Sequence, residues 1–423
     1  MKKNIVWIMG ILLLLCPAGC GTSANESSVS AVAENDSEAA QNAAEDVSEN
    51  SEIDETAEEP EQNKGSFVGE AADMLVPDQR ELITDFMETY YAGLSALEPQ
   101  DMSHLFLETA TDEQLLNESA LEYATGLRRM QHTDLTLADY RYELDVASVE
   151  TAENGNTDVL ITETSTQNFS QHPEVDTKLY HIIHRFELQE TTDGWRIASH
   201  IQWDSIYWNL LGEYWGWDSE EQNIPDAETF FSERVTGLLA ESTQELEMRA
   251  EEIQETHKSF TYPYNRDEAV AYSSEWVGRR NEEWSDYTGR GGNCQNFVSQ
   301  CLLAGGIPMD AQGDSQWMWN GEDDHSASWL GVDAFCNYAA NNQGTGLAAS
   351  MDVSYYEGTE GDLICMGSEN DWNHIVIIAE VIRDEQGNTV DYLVNSNTAD
   401  VENFPVGAYP NPHQKLIKIY GWN

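Results

Sequence analysis

The sequence predicts an α+β chain in which helices precede antiparallel strands twice over. In the first instance, Leu82, Ile83, Phe86, Met87, Tyr90, Tyr91, Leu94 and Leu97 recur at three- and four-residue steps, the period of an amphipathic helix. A weaker helical pattern covers Leu115 to Met130, and alternating strand-like runs follow it. In the second, Cys294, Phe297, Val298, Cys301 and Leu302 line one helix face, and three short apolar strands come after.

Ahead of these lies a targeting pattern. Two lysines, about a dozen apolar residues and a small-residue pair precede Cys20, which predicts a signal peptide over 1–19, too short and wrongly flanked to span a membrane. The ending Pro17-Ala18-Gly19-Cys20 resembles the lipobox of bacterial lipoproteins, with proline where leucine is usual. That resemblance implies acylation of Cys20, as by palmitate, and a lipid-anchored chain on the extracytoplasmic side of the cell membrane. An ordinary cleaved secretion signal is the other reading.

Between Gly21 and Gly65 stand thirteen Asp or Glu, one Lys and no Phe, Tyr or Trp. Such a segment buries too little apolar surface to offset its ordering entropy, so 20–65 reads as a disordered acidic tether. The whole chain carries −57 and its first 65 residues −10, which leaves −47 for the remainder. A surface this negative argues against nucleic acid as a partner.

Residues 66–203 form the first folded segment. Its strand runs are DLTLADYRYELDVASVE, TDVLITETSTQNF and KLYHIIHRFELQE, then WRIASHIQW after a turn at Asp193-Gly194. Helices followed by a curved antiparallel sheet resemble the cone-shaped nuclear-transport-factor-like α+β fold. His181 and His184 point to opposite faces of an extended strand, so they do not converge on one metal.

Residues 204–260 read as a helical connector. Trp208, Trp215 and Trp217 pack one segment against the next or stack on sugar rings. Beyond Pro225, a long acidic helix carries Val235, Leu238, Leu239, Leu246 and Ile253 along one side.

The chemistry lies in 261–423. Four cysteines fall here: Cys294, Cys301, Cys336 and Cys365. Cys294 and Cys301 cannot pair if they share a helix, because seven residues rise about 10 Å. Glycines lead through Asn293 into Cys294, which opens its helix where unpaired N–H groups and the dipole favour a thiolate. Those glycines let the backbone approach a substrate and supply donors for an oxyanion. Cys301, two turns deeper, is packing.

A thiolate nucleophile needs a base and a group to orient that base. His374 opens the apolar strand run NHIVIIAEVI, after the short strand of EGDLICM. The next strand, in DYLVNSNT, ends with Asn395 and Asn397, either of which can accept from the imidazole. His325, in the acidic loop GEDDHSASWL, is a rival base. Trp317, Trp319 and Trp329 pack in the core or wall the cleft. Arg266 anchors its helix through carboxylates, and Asp362 is a turn residue.

The order Cys, His, polar residue resembles papain-like cysteine peptidases, particularly their NlpC-type and CHAP-type relatives. With YNRDEAVAY, GGNCQNFVSQCLLAGGIPM, EGDLI, NHIVII and the late NT-x-D included, residues 261–423 are similar to the family named "putative amidase domain". This chain has Asn293 where that family usually has Asp, and Gln295 where it usually has Thr.

The resemblance implies a papain-like domain with catalytic Cys294, His374 and Asn397, Asn395 being the alternative orienter, and no metal or organic cofactor. It further implies a thiol-dependent hydrolase (amidase or peptidase) acting on amide bonds of peptidoglycan or wall peptides. A surface cysteine peptidase acting on proteins and a wall-binding lipoprotein without catalysis are the alternatives.

Overall fold

The computed structural model describes residues 64–214, 224, 226–312, 316–368 and 371–423. The expected signal peptide, Cys20, most of the acidic tether, Trp215 and Trp217 lie outside the described residues. Among those described, no helix is long and apolar enough to cross a membrane.

A four-residue strand, β1 (Gly65–Val68), precedes α1 (Pro77–Ala96), whose proline stands in the first turn, where no N–H is needed. Leu97 ends α1 in the left-handed region at φ 51°. Next come α2 (Thr111–Arg129), then β2 (Leu137–Thr151), β3 (Thr157–Phe169), β4 (Thr177–Thr191) and β5 (Gly194–Trp203), an antiparallel meander. Both helices lean on this sheet. The helices and the four long strands match the periodic runs. The short strand β1 had no such signal, because it exists only by parallel pairing with β2.

Asp204 caps α3 (Ser205–Leu211), its side chain accepting from Tyr207 N at 2.9 Å. Helix α4 (Ala227–Arg249) buries Phe231, Val235, Leu238 and Ser242, largely against α2, while Ile253 lies past its end and is exposed. Trp208 is also exposed, so it does not bury itself between segments.

The C-terminal segment opens with β6 (Tyr262–Pro263), α5 (Arg266–Trp276) and α6 (Cys294–Ala304). A small ribbon, β7 (Trp319–Gly321) with β8 (Asp324–His325), leads into α7 (Ala327–Leu330) and α8 (Val332–Asn341). The strands are β9 (Leu347–Ser350), β10 (Leu363–Ser368), β11 (Asp371–Arg383), β12 (Thr389–Ser396), β13 (Val401–Pro405) and β14 (Gln414–Trp422). Ile375, Val376, Ile377 and Ile378 of β11 are all buried because both faces of this sheet are covered. Ile375 and Ile377 face α6 and α8, whereas Val376 and Ile378 join the core that extends into the first segment.

The two sheets are one. Strand order runs β1-β2-β3-β4-β13-β12-β11-β10-β14-β6, with β5 also on β4 and β9 also on β14. Strand β4 makes the join by changing partner: its start pairs with β13 and its end with β5. The handover falls at His181, whose φ of 60° breaks the regular extended backbone. The chain is thus mixed α+β with a large, mostly antiparallel sheet.

Candidate active site

Cys294 opens α6 beneath a glycine turn. Gly291 and Gly292 have φ of 109° and 104°, a region closed to side chains, and nothing stands within 4 Å of where a Cβ would sit on Gly291. Asn293 precedes the helix but does not cap it. Its Oδ1 accepts instead from Tyr287 N at 3.3 Å and Asn296 Nδ2 at 2.9 Å. The Cys294 sulfur lies where the N–H groups of Cys294 and Gln295, and also that of Ile375 on β11, can meet it.

The Ile375 N–H is free to do so because β12 has left. The β11–β12 ladder ends at Ile377–Asn395, and the chain turns after Ser396 through left-handed Thr398 and Ala399. The sulfur occupies the gap this departure opens, next along the strand from His374. Thr398 Oγ1 holds the other side of the gap by accepting from Asn293 N.

His374 sits opposite Met366 on β11. Its Nε2 lies 3.4 Å from Ser396 Oγ, and Ser396 Oγ lies 3.3 Å from the Thr398 carbonyl and 3.4 Å from that of Asn397. With its own proton on one of these carbonyls, Ser396 accepts from an Nε2–H. In that tautomer Nδ1 is the basic nitrogen.

Burial pushes the Cys294 thiol up to about 11, against the three N–H groups that pull the other way. Burial also lowers His374 to about 4. At rest Cys294 is therefore a thiol and His374 a neutral imidazole. The thiolate expected from the helix start yields here to desolvation, the larger effect.

Neither asparagine bonds the His374 ring. Asn395 donates to Ser273 Oγ at 2.9 Å and accepts from Asn403 N at 2.8 Å. Asn397 lies past the end of β12, donates to the Arg279 carbonyl at 3.3 Å, and keeps a buried Oδ1 with no partner. Pairing of Ile377 with Asn395 puts His374 on the face of the even-numbered β12 residues, which selects Ser396. The sequence offered a serine there but not the register.

Asp400 secures the turn after β12. Burial alone would raise its carboxyl, but His181, Arg280 and the Thr398 N–H hold it below its ordinary value. His181 lies on β4 of the first segment, so that segment touches the loop beside the site. His184 points away, into the first-segment core, where it meets Glu163 at 2.9 Å. The two histidines diverge, and no group of His, Cys, Asp and Glu among the described residues could hold a metal.

The tryptophans divide. Trp317 and Trp329 are fully buried and brace α6, donating to Ser299 Oγ and Asn296 Oδ1, each at 3.0 Å. Trp319 is half-buried and donates to Tyr287 Oη at 3.4 Å. His325 is held by the short β7–β8 ribbon and points Nδ1 at the Ser326 carbonyl, 3.4 Å away. Arg266 pairs with fully buried Asp362 at 2.8 Å, and Asp362 also accepts from Ile419 N, tying α5 to β14.

Residues 263–420 match the family described as "Putative amidase domain". This segment, which holds both Cys294 and His374, is similar to that family. Over 155 residues, the chain is 34% identical to "Uncharacterized protein YhbB" of Bacillus subtilis (strain 168), a match covering 35% of this chain and 47% of that protein. The chain thus spans about half the length of that curated relative. A solved structure, "Crystal structure of intermembrane space region of chloroplast protein ARC6", aligns with 29% of this chain and 92% of its own at 14% identity. Its TM-score is 0.19, too low to carry a structural argument.

Within the amidase domain, the two departures from the family pattern take different roles. Asn293 fixes the glycine turn. Gln295 donates to Ser299 Oγ at 3.0 Å and leaves a buried Oε1 without a partner.

Proposed function

We propose that the amidase domain hydrolyses amide bonds by thiol-dependent acyl transfer in a papain-like arrangement. One observation carries this reading: the Cys294 sulfur fills the gap beside Ile375 while neighbouring His374 is held through Nε2 by Ser396. Cys294 attacks the carbonyl carbon as His374 Nδ1 takes the thiol proton. The Cys294 N–H, at the uncapped start of α6, faces the developing oxyanion. The tetrahedral species collapses to a thioester, and His374 protonates the leaving amine. Water then adds to the thioester, which releases a carboxylate and restores the thiol.

Ser396 is the orienter in this scheme, with Asn397 Oδ1 as an open acceptor beside it. Because the resting pair is neutral, proton transfer accompanies attack, as in general-base catalysis. The substrate class we infer is peptidoglycan or wall peptides, presented to a chain anchored through Cys20 outside the cell membrane. The signal pattern and the family match support that inference. The first segment serves as a cone-shaped spacer joined to the domain through β4 and β13.

Burial of Cys294 is the observation that favours the alternative of a domain that binds wall material without cleaving it. Amide release from purified wall by the full chain, beside Cys294→Ala and His374→Ala, decides between them. Activity lost in both variants supports hydrolysis; equal activity in wild type and Cys294→Ala removes Cys294 as nucleophile. Binding to wall with no release in any of the three leaves the binding reading.

A further inference from the structure

Tyr409 stands beside the Cys294–His374 pair and has no part in the scheme above. It follows a short turn, Val406–Ala408, after β13, and its ring centroid lies 5.6 Å from that of His374. The residue is only 5% exposed, and its hydroxyl has no hydrogen-bond partner. Ser396 and Cys294 both lie near that hydroxyl. A buried hydroxyl without an acceptor is costly, and native proteins keep few of them.

The position is not slack. Tyr123 of α2 donates to the Pro410 carbonyl at 3.3 Å, and Asn209 of α3 donates to the same oxygen. Arg249 of α4 donates to the Pro412 carbonyl, and Glu245 meets His413 at 2.7 Å. Four side chains from outside the amidase domain thus hold the loop that carries Tyr409. They fix the loop that holds this unsatisfied donor.

The absent acceptor appears when the site reacts. As His374 takes the thiol proton, Cys294 gains a negative charge in a site that excludes water. Burial, with Cys294 and Asp400 nearby, raises the Tyr409 hydroxyl far above its ordinary value, so it keeps its proton and stays a donor. The other titratable groups facing this space are His374 on β11 and Asp400 after β12, the latter paired with Arg280 and His181. We propose that Tyr409 is a further catalytic residue, its hydroxyl donating to the charge that forms on the Cys294 sulfur. The inference rests on the Cys294–His374 reading.

The test needs no substrate. Full-length wild type, Tyr409→Phe and His374→Ala are alkylated with iodoacetamide from about pH 5 to about pH 10, and labelling is read on the Cys294 peptide by mass spectrometry. Thermal melting runs in parallel. Tyr409→Phe is expected to alkylate about 10-fold more slowly at neutral pH, its inflection moved up by about one pH unit. Its melting temperature should equal or exceed that of wild type, because an unpartnered buried hydroxyl has gone.

That opposition of lower reactivity and undiminished stability is what a packing role would not give. A profile superimposable on wild type overturns the proposal. So does a loss of reactivity that tracks a loss of stability, or failure of the variant to fold. If Cys294 is inert in wild type, or indifferent to His374→Ala, the underlying dyad reading fails instead, and the two failures are distinguishable.

Discussion

Two buried polar chains of similar make-up run through this protein, and they differ in how they end. In the first segment, Tyr91 donates to Glu163 and Glu163 meets His184; His184 reaches His200 at 3.1 Å, and both His200 and Tyr207 meet Asn117 Oδ1 at 2.6 Å. Every ring nitrogen has a partner. In the amidase domain, His374 has one long bond, and Tyr409 Oη, Asn397 Oδ1 and Gln295 Oε1 have none. Burial lowers a histidine in each chain, His200 and His374, so the pKa direction alone does not tell them apart. Partner accounting does. A closed chain stabilises a fold, whereas unpartnered donors and acceptors such as those of Tyr409, Asn397 and Gln295 leave capacity for a further partner.

The comparison breaks most readily at its extremes. Cys294→Ala should lower amide release at least about 1000-fold with little change in melting temperature. Glu163→Ala should do the converse: urea unfolding should show a loss of about 2–4 kcal/mol, because His184 and Tyr91 lose their acceptor in the core. Its activity per folded molecule should be unchanged. A fall there would couple the two chains and end the distinction.

Ser396→Ala should slow the reaction by about 10-fold, since the imidazole loses the bond that fixes its tautomer. Asn397→Ala should have a smaller effect, and rates in the reverse order would return the orienting role to Asn397.

Acid sharpens the contrast further. A neutral buried His374 contributes stability that is complete above its unfolded value of about 6.5 and is lost as pH falls through about 4. The acid limb of unfolding in His374→Gln should therefore be shallower than in wild type, with His200 supplying what remains. An unchanged limb would show that His374 is not buried neutral. The smallest effect belongs to His181→Ala: its side chain is 57% exposed, so unfolding should move by less than about 1 kcal/mol.

Much of this was legible along the chain. The repeat in α1, the alternation in β2 to β5 and the apolar run of β11 each repeat within a few residues, and each formed the expected element. Cys294 opened its helix as the spacing predicted. The hydrogen-bond partner of His374 was not legible, because Asn395 and Asn397 share a face and the β11–β12 register puts His374 on the other one. Asn397 also falls beyond β12, where Thr398 and Ala399 turn in the left-handed region, although neither residue is glycine. Tyr409 carried no local signal at all.

By itself, then, the sequence determined the longer helices and strands, which cysteine starts a helix after glycines, and which histidine lies near the start of an apolar strand. These follow from side-chain periodicity and backbone freedom, which act over a few residues. Only the tertiary structure decided that Ser396 meets His374, that Tyr409 packs beside His374 with an unpartnered hydroxyl, and that β4 and β13 make one sheet of two segments. Those outcomes depend on strand register and on burial between residues far apart in the chain, and no short-range pattern encodes either.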